Sequence, residues 1–400
     1  MAVSTESPRV EQAFARAAAG CGLERADALL LYERADLASL LSAAGSLRAR
    51  FKGPIISFSK KVFIPLTHLC RDYCGYCTFR NDPGPDGHLF MSPDEVLAVA
   101  EAGRRAGCKE ALFSLGDQPE KIFPEAREAL GRLGYERTLN YLAAMTELTL
   151  AQTGLLPHSN PGLMSARDLD RLKESNASLG LMLENASPRL LRRGGPHAKA
   201  PDKLPSLRLR TIEEAGRRNI AFTTGILIGI GENPAERVDS LIAIRRLHER
   251  FGHIQEVIVQ NFRAKPATPM ALAPEPSLEE LLRTVAVARL VLGGEINLQA
   301  PPNLSDVYFP RLLEAGINDW GGISPVTRDF INPEAPWPAI ALLEQKTSAA
   351  GLELRERLAI YPEFALRTEF VHPDLRPAVA RLADSHGFAR HEREVHVQVA

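Results

Sequence analysis

Three cysteines fall within eight residues, at Cys70, Cys74 and Cys77, inside the stretch VFIPLTHLCRDYCGYCTFRND (residues 62–82). Three thiolates spaced C-x3-C-x2-C on one loop can converge on a single inorganic centre. A closed structural zinc needs a fourth ligand, and His68, two residues before Cys70, gives an awkward bite. A four-iron, four-sulfur cluster on three thiolates leaves one iron open to a substrate or cofactor, and the spacing favours that centre over zinc. No fourth cysteine lies nearby to close a ferredoxin-type cluster. Cys108, between a helix-like and a strand-like segment, reads as a buried small hydrophobe.

Other polar segments also stand directly after apolar runs: SLGDQPE (114–120), PHSNPG (157–162), LENASP (183–188), IGIGENP (228–234) and QNFRAK (260–265). Such a set suits the mouth of a ligand cavity. Gly229 and Gly231 form only a G-x-G pair, too weak for a dinucleotide fingerprint, although glycines at a strand end let a flat ring approach the backbone. Glu184 is weighed between ligand contact and pairing with Arg189, and His158 between ligand contact and loop hydrogen bonding. The basic pairs Arg192-Arg193 and Arg245-Arg246 read as solvated helix faces.

These residues need a scaffold. Short β-type runs at 62–66, 111–115, 155–159, 179–184, 221–229, 256–262 and 296–301, with a weaker one near 317–322, alternate with helix-type segments. Eight such units predict a (β/α)8 barrel of parallel strands; an open doubly wound sheet is the competing α/β fold. Ser92-Pro93-Asp94-Glu95 and Asn233-Pro234-Ala235-Glu236 mark helix starts, Gly107 can end the first of these helices, and Ser277 with Glu280 reads as a third capping box. The expected organisation is a helical N-terminal extension (1–52), the barrel (53–335) and a C-terminal helical extension (336–400) packed on it.

The chain has 400 residues, 45% of them hydrophobic, with 48 Lys plus Arg against 49 Asp plus Glu. That balance gives no global field for nucleic acid or an anionic membrane. No apolar run approaches the length of a membrane span. An odd cysteine count with one tight group argues against a secreted disulfide framework. A cytoplasmic protein is expected, with no nucleic-acid or membrane partner.

The cysteine motif with Tyr76 before its last thiol resembles the radical S-adenosylmethionine superfamily. The segments LGLMLENASPRL, TTGILIGIGENPAER, GHIQEVIVQNFRAK and AGINDWGGISPVTRDFINPEAPWP resemble, more closely, the 7,8-didemethyl-8-hydroxy-5-deazariboflavin synthase family (subunit 1) of coenzyme F420 biosynthesis, from about residue 55 to 340. The resemblance implies a [4Fe-4S] cluster on Cys70, Cys74 and Cys77 and S-adenosyl-L-methionine as the second cofactor. It implies cofactor contacts at Tyr76, Gly116, Asp117, Glu184, Asn185, Gly229 and Gly231; Gly116-Asp117 departs from the superfamily's usual Gly-Gly-Glu. Substrate contacts are implied at His158, Ser159, Asn160, Gln260, Asn261 and Asp319. The implied reaction is a radical ring closure that releases ammonia, an external one-electron reductase feeding the cluster. The single cysteine triad implies that the substrate comes from a separate sister radical enzyme. A related radical enzyme of another cofactor pathway and a non-catalytic metal-stabilised binding module are the alternatives.

Overall fold

A computed structural model of the chain describes residues 7–84 and 88–390. The parts of the expected extensions that fall on 1–6 and 391–400 lie outside the described residues. Eight strands, β1 (Ile55–Thr67), β2 (Glu110–Leu115), β3 (Leu156–Asn160), β4 (Ser178–Gly180), β5 (Phe222–Ile228), β6 (Ile254–Asn261), β7 (Leu298–Gln299) and β8 (Asp319–Ile323), pair in parallel in sequence order. β1 pairs with both β2 and β8, so the sheet closes. The closed parallel barrel is the expected fold, and the open-sheet alternative falls.

Between the strands run α4 (Pro93–Arg105), α5 (Pro124–Arg132), α6 (Thr138–Thr153), α7 (Ala166–Lys173), α8 (Pro205–Arg217), α9 (Pro234–Phe251) and α10 (Leu278–Leu292); before them come α1 (Ser7–Ala18), α2 (Arg25–Arg34) and α3 (Leu37–Lys52). The period of two sorts each strand's side chains. In β1, Ile56, Phe58, Val62, Ile64 and Leu66 join the main apolar core, while Lys61 and Phe63 face the barrel interior. Ser92 and Asn233 form full capping boxes as expected. Ser277 accepts from the Glu280 N–H, but the Glu280 carboxylate turns away to pair with Arg237 at 2.6 Å. Arg245 is not solvated. It is buried and donates to the carbonyls of Leu23 and Val291, tying α9 to α10 and to the segment before α2.

The C-terminal segment departs from the helical expectation. After α11 (Ile340–Ala349) the chain forms β9 (Glu353–Arg357), followed by α12 (Pro362–Ala365) and α13 (Arg376–Leu382). β9 runs parallel to the lower half of β1, Ile55–Ser59, below the point where β2 begins to pair at Lys61. Pairing there satisfies β1 backbone groups that β2 does not reach, and this outweighs the helix propensity of a Leu-, Glu- and Arg-rich stretch. β1 itself starts seven residues earlier than its apolar run. Ser57 and Ser59, polar in sequence, point inward and bond to Asp319 and Glu110.

Candidate active site

The loop after β1 carries all three thiols onto the wall of one cavity of about 350 Å³. Backbone bonds hold the loop in place: Tyr73 N donates to Lys199 O, Gly75 N to Pro196 O at 2.7 Å, and Met270 N to Gly75 O. Asp72 N and Asp117 N both point at Cys70 Sγ, at 3.3 and 3.2 Å. Gly116 has a steric cause: a Cβ there would lie 1.9 Å from Leu69 O and 2.5 Å from Cys70 Cβ. Burial, aided by Asp72, pushes the Cys70 thiol up to about 12, so it keeps its proton until a strongly positive partner such as a bound metal displaces it. His68 does not line the cavity. Its Nδ1 lies 2.8 Å from Phe79 O and its ring packs on Phe79, which leaves a zinc reading without its fourth ligand there.

Beside the thiols, Asp72, Asp117 and Asp202 bring carboxylate oxygens within 4.8 Å of one another, all buried. Asp117 accepts from Leu163 N and the Gln118 amide; burial and Asp202 lift its carboxyl to about 7. Asp202 Oδ2 is buried with no hydrogen-bond partner. Across the cavity Glu184, in the left-handed region at φ 63°, accepts from Lys203 Nζ at 2.5 Å. Burial alone would raise its carboxyl, but Lys203 and Arg208 outweigh that and hold it low. Arg189 pairs with Glu236 instead. Tyr76 stands between the thiols and His197, its hydroxyl 3.0 Å from His197 Nε2.

The far end of the cavity is the barrel floor. There Arg357 donates to Asp319 at 2.7 and 3.1 Å, reaches Glu256 at 3.3 Å and stacks on Tyr361 at 4.0 Å. His158 Nδ1 lies 2.6 Å from Ser178 Oγ, and that hydroxyl donates to Ala359 O at 2.5 Å. The Ser178 hydroxyl proton is thereby committed, and His158 Nε2 lies 3.2 Å from the Asn160 Oδ1 oxygen. Burial pushes His158 down to about 4, so it is neutral near pH 7.

Of the expected residues, Cys70, Cys74, Tyr76, Cys77, Gly116, Asp117, His158, Asn160, Glu184 and Gln260 line this cavity. Ser159, Asn185, Gly229, Gly231, Asn261 and Asp319 do not. Ser159 and Asn261 follow His158 and Gln260 in their strands, so the pleat turns them outward, onto Asn176 Oδ1 and Leu304 O. Asn185 accepts from Ser187 N in a turn. Gly229 packs where a Cβ would meet Pro276, and Gly231 offers its carbonyl to Arg189. Asp319 is consumed by Arg357, Ser57 and its own turn at Gly321. The sequence reading missed Lys61, Glu110, Lys203, Arg208, Glu256, Gln299, Trp337 and Arg357, all of which line the cavity. Strand alternation carried a signal for Lys61, Glu110 and Glu256. Nothing local marked Lys203 or Arg357.

The donor set fits an iron–sulfur cluster: three thiols on one loop, two backbone N–H groups on Cys70, and an open cavity where a fourth side chain would otherwise close the centre. Residues 64–244 match the radical SAM superfamily. The chain is 50% identical over 336 residues to the 7,8-didemethyl-8-hydroxy-5-deazariboflavin synthase of Methanopyrus kandleri, covering 84% of this chain and 100% of that one. It is 50% identical over 388 residues to the FO synthase of Streptomyces avermitilis, covering 94% of this chain but 45% of the relative. The chain thus spans about half the length of the Streptomyces relatives it matches. The crystal structure of methylornithine synthase (PylB) shares the fold at a TM-score of 0.67 and 20% identity, over 86% of this chain and 97% of that one. No described helix is long and apolar enough to cross a membrane.

Proposed function

Because this chain belongs to the radical SAM superfamily and, within it, to the 7,8-didemethyl-8-hydroxy-5-deazariboflavin synthase family, we propose that it closes the ring of 5-amino-5-(4-hydroxybenzyl)-6-(D-ribitylimino)-5,6-dihydrouracil, releasing ammonia and giving the deazaflavin chromophore. The observation that carries the reading is a three-thiol loop that opens onto a polar-floored barrel cavity. A metal-stabilised binding module has no need of such a cavity.

Cys70, Cys74 and Cys77 would hold the cluster. When bound, the cluster and S-adenosylmethionine supply a carbon-centred radical that removes one hydrogen atom from the substrate. Everything else is the protein's task. Asp117, with Asp202 and Asp72 behind it, is the carboxylate group for the methionine ammonium. The buried Lys203, held by Glu184, offers positive charge near the carboxylate of the same moiety, and Glu184 stands ready for a ribose hydroxyl. Phe63, Phe79, Leu112 and Ile258 make the apolar wall that keeps flat rings in van der Waals contact and excludes water. Asn160 and Gln260 face the rings' polar edges, and His158 stands uncharged beside Asn160. The adduct would come from a separate sister radical enzyme, and the electron from an external reductase.

Anaerobic reconstitution with iron and sulfide, followed by reduction with S-adenosylmethionine and the adduct, should give 5′-deoxyadenosine and deazaflavin fluorescence together. A colourless one-zinc protein would overturn the cluster. Cofactor cleavage without deazaflavin would overturn the substrate.

A further inference from the structure

We infer that the β8 side of the cavity floor is a polyol subsite, which takes a chain of vicinal hydroxyl groups with the flat rings above it, toward the cysteine loop. The inference rests on the reading above, whose substrate carries a ribityl chain.

Four polar atoms on this side have no hydrogen-bond partner in the protein. Lys61 Nζ is the first: among the described cavity-lining cations, Arg80, Lys203, Arg208 and Arg357 all have hydrogen-bond or ion-pair partners, and Lys61 has neither. Glu110 is its register neighbour across β1 and β2; one carboxylate oxygen accepts from Ser59 and the other accepts from nothing. Gln299 Oε1 and Trp337 Nε1 are buried and unpaired. Orphaned buried polar atoms such as these last two are rare in native structures, and each calls for an explanation.

These atoms share one neighbourhood. Lys61 Nζ sits 5.9 Å from the Trp337 ring centroid. Gly321 and Gly322 in β8 leave room for two of the four: a Cβ at Gly321 would lie 2.2 Å from the Gln299 amide nitrogen, and one at Gly322 would lie 2.0 Å from Lys61 Cε. The set holds two donors, Lys61 and Trp337, and two acceptors, Glu110 and Gln299. Its charges cancel, which disfavours phosphate or carboxylate. The groups come from four separate segments of the cavity wall, whereas a heterocycle edge would want them in one plane. A hydroxyl both donates and accepts, so a short run of hydroxyls can satisfy all four. Below them Arg357 and Ala359 seal the barrel, so the chain must end there.

The test is equilibrium binding of the fluorescent deazaflavin product and of its analogue with methyl in place of ribityl. Wild-type protein should prefer the ribityl compound by at least ~10-fold, as sites built to bind hydroxyls do. Lys61→Met and Gln299→Leu should each erase most of that preference and leave methyl-analogue affinity unchanged. Gly322→Ala, which displaces the Lys61 ammonium without deleting it, should do the same, with thermal unfolding confirming that each variant is folded. Equal weakening of both ligands, or no preference in the wild type, would overturn the subsite. If the preference holds but the adduct yields no deazaflavin, the proposed reaction fails and the subsite stands. If deazaflavin forms while the variants discriminate as the wild type does, the subsite alone fails.

Discussion

The two ends of the barrel cavity both gather buried charge, and they treat it in opposite ways. At the floor, Arg357 is surrounded by Asp319, Glu256 and Tyr361, and its charge is paired on both sides by carboxylates. At the mouth, three carboxylates crowd together, one oxygen of Asp202 has no hydrogen-bond partner, and Asp117 is lifted to about 7. A satisfied buried ion network is a structural joint; here it locks β9 and the segment after it across the bottom of the barrel. A like-charged cluster with an unsatisfied oxygen has a cost that a cationic ligand removes. The pairing state of the charges therefore separates scaffold from site better than their number does.

That contrast can be broken most severely at the mouth. Cys74→Ala should reduce 5′-deoxyadenosine formation to background while changing urea unfolding little; normal product yield would remove the residue from the cluster. At the floor the expected result is reversed. Arg357→Met strands Asp319 and Glu256 in the interior and should cost about 3–5 kcal/mol of stability by urea unfolding. A loss below ~1 kcal/mol would mean the plug is not a joint.

Acid should weaken the protein next. Burial pushes His158 down to about 4 and His253 down to about 3. A base depressed in the folded state contributes stability that is fully present above its ordinary value of about 6.5 and is lost as pH falls through the folded value. Unfolding free energies from urea titrations should therefore fall between pH ~6.5 and ~4, by about 3 kcal/mol per histidine. His158→Asn should flatten the curve by its share, and an unchanged slope would show that burial does not depress the imidazole in the folded state. The smallest effect calibrates the scale away from both ends: Ser277→Ala should cost about 1 kcal/mol, read as a lowered unfolding temperature, since its side chain caps α10.

Much of the site was legible because its signals are local. Three thiols on one loop need no tertiary contact to be noticed, and His158 and Gln260 stand in polar segments after apolar runs. Naming Ser159 beside His158, and Asn261 beside Gln260, overlooked the pleat, which sends adjacent residues to opposite faces. Lys203 was hidden because it sits in a short turn after β4, nineteen residues from the Glu184 it pairs with. Asp319 was misread because its partner, Arg357, arrives from a segment that looked helical.

By itself the sequence determined the cysteine loop, the alternation of strands and helices, and the capping of α4 and α9, since each depends on residues within a few positions of one another. Tertiary structure alone decided which inward-facing charges are satisfied. That depends on which strands become neighbours when the barrel closes and on β9 sealing its floor, contacts made between residues as far apart as Ser57 and Asp319.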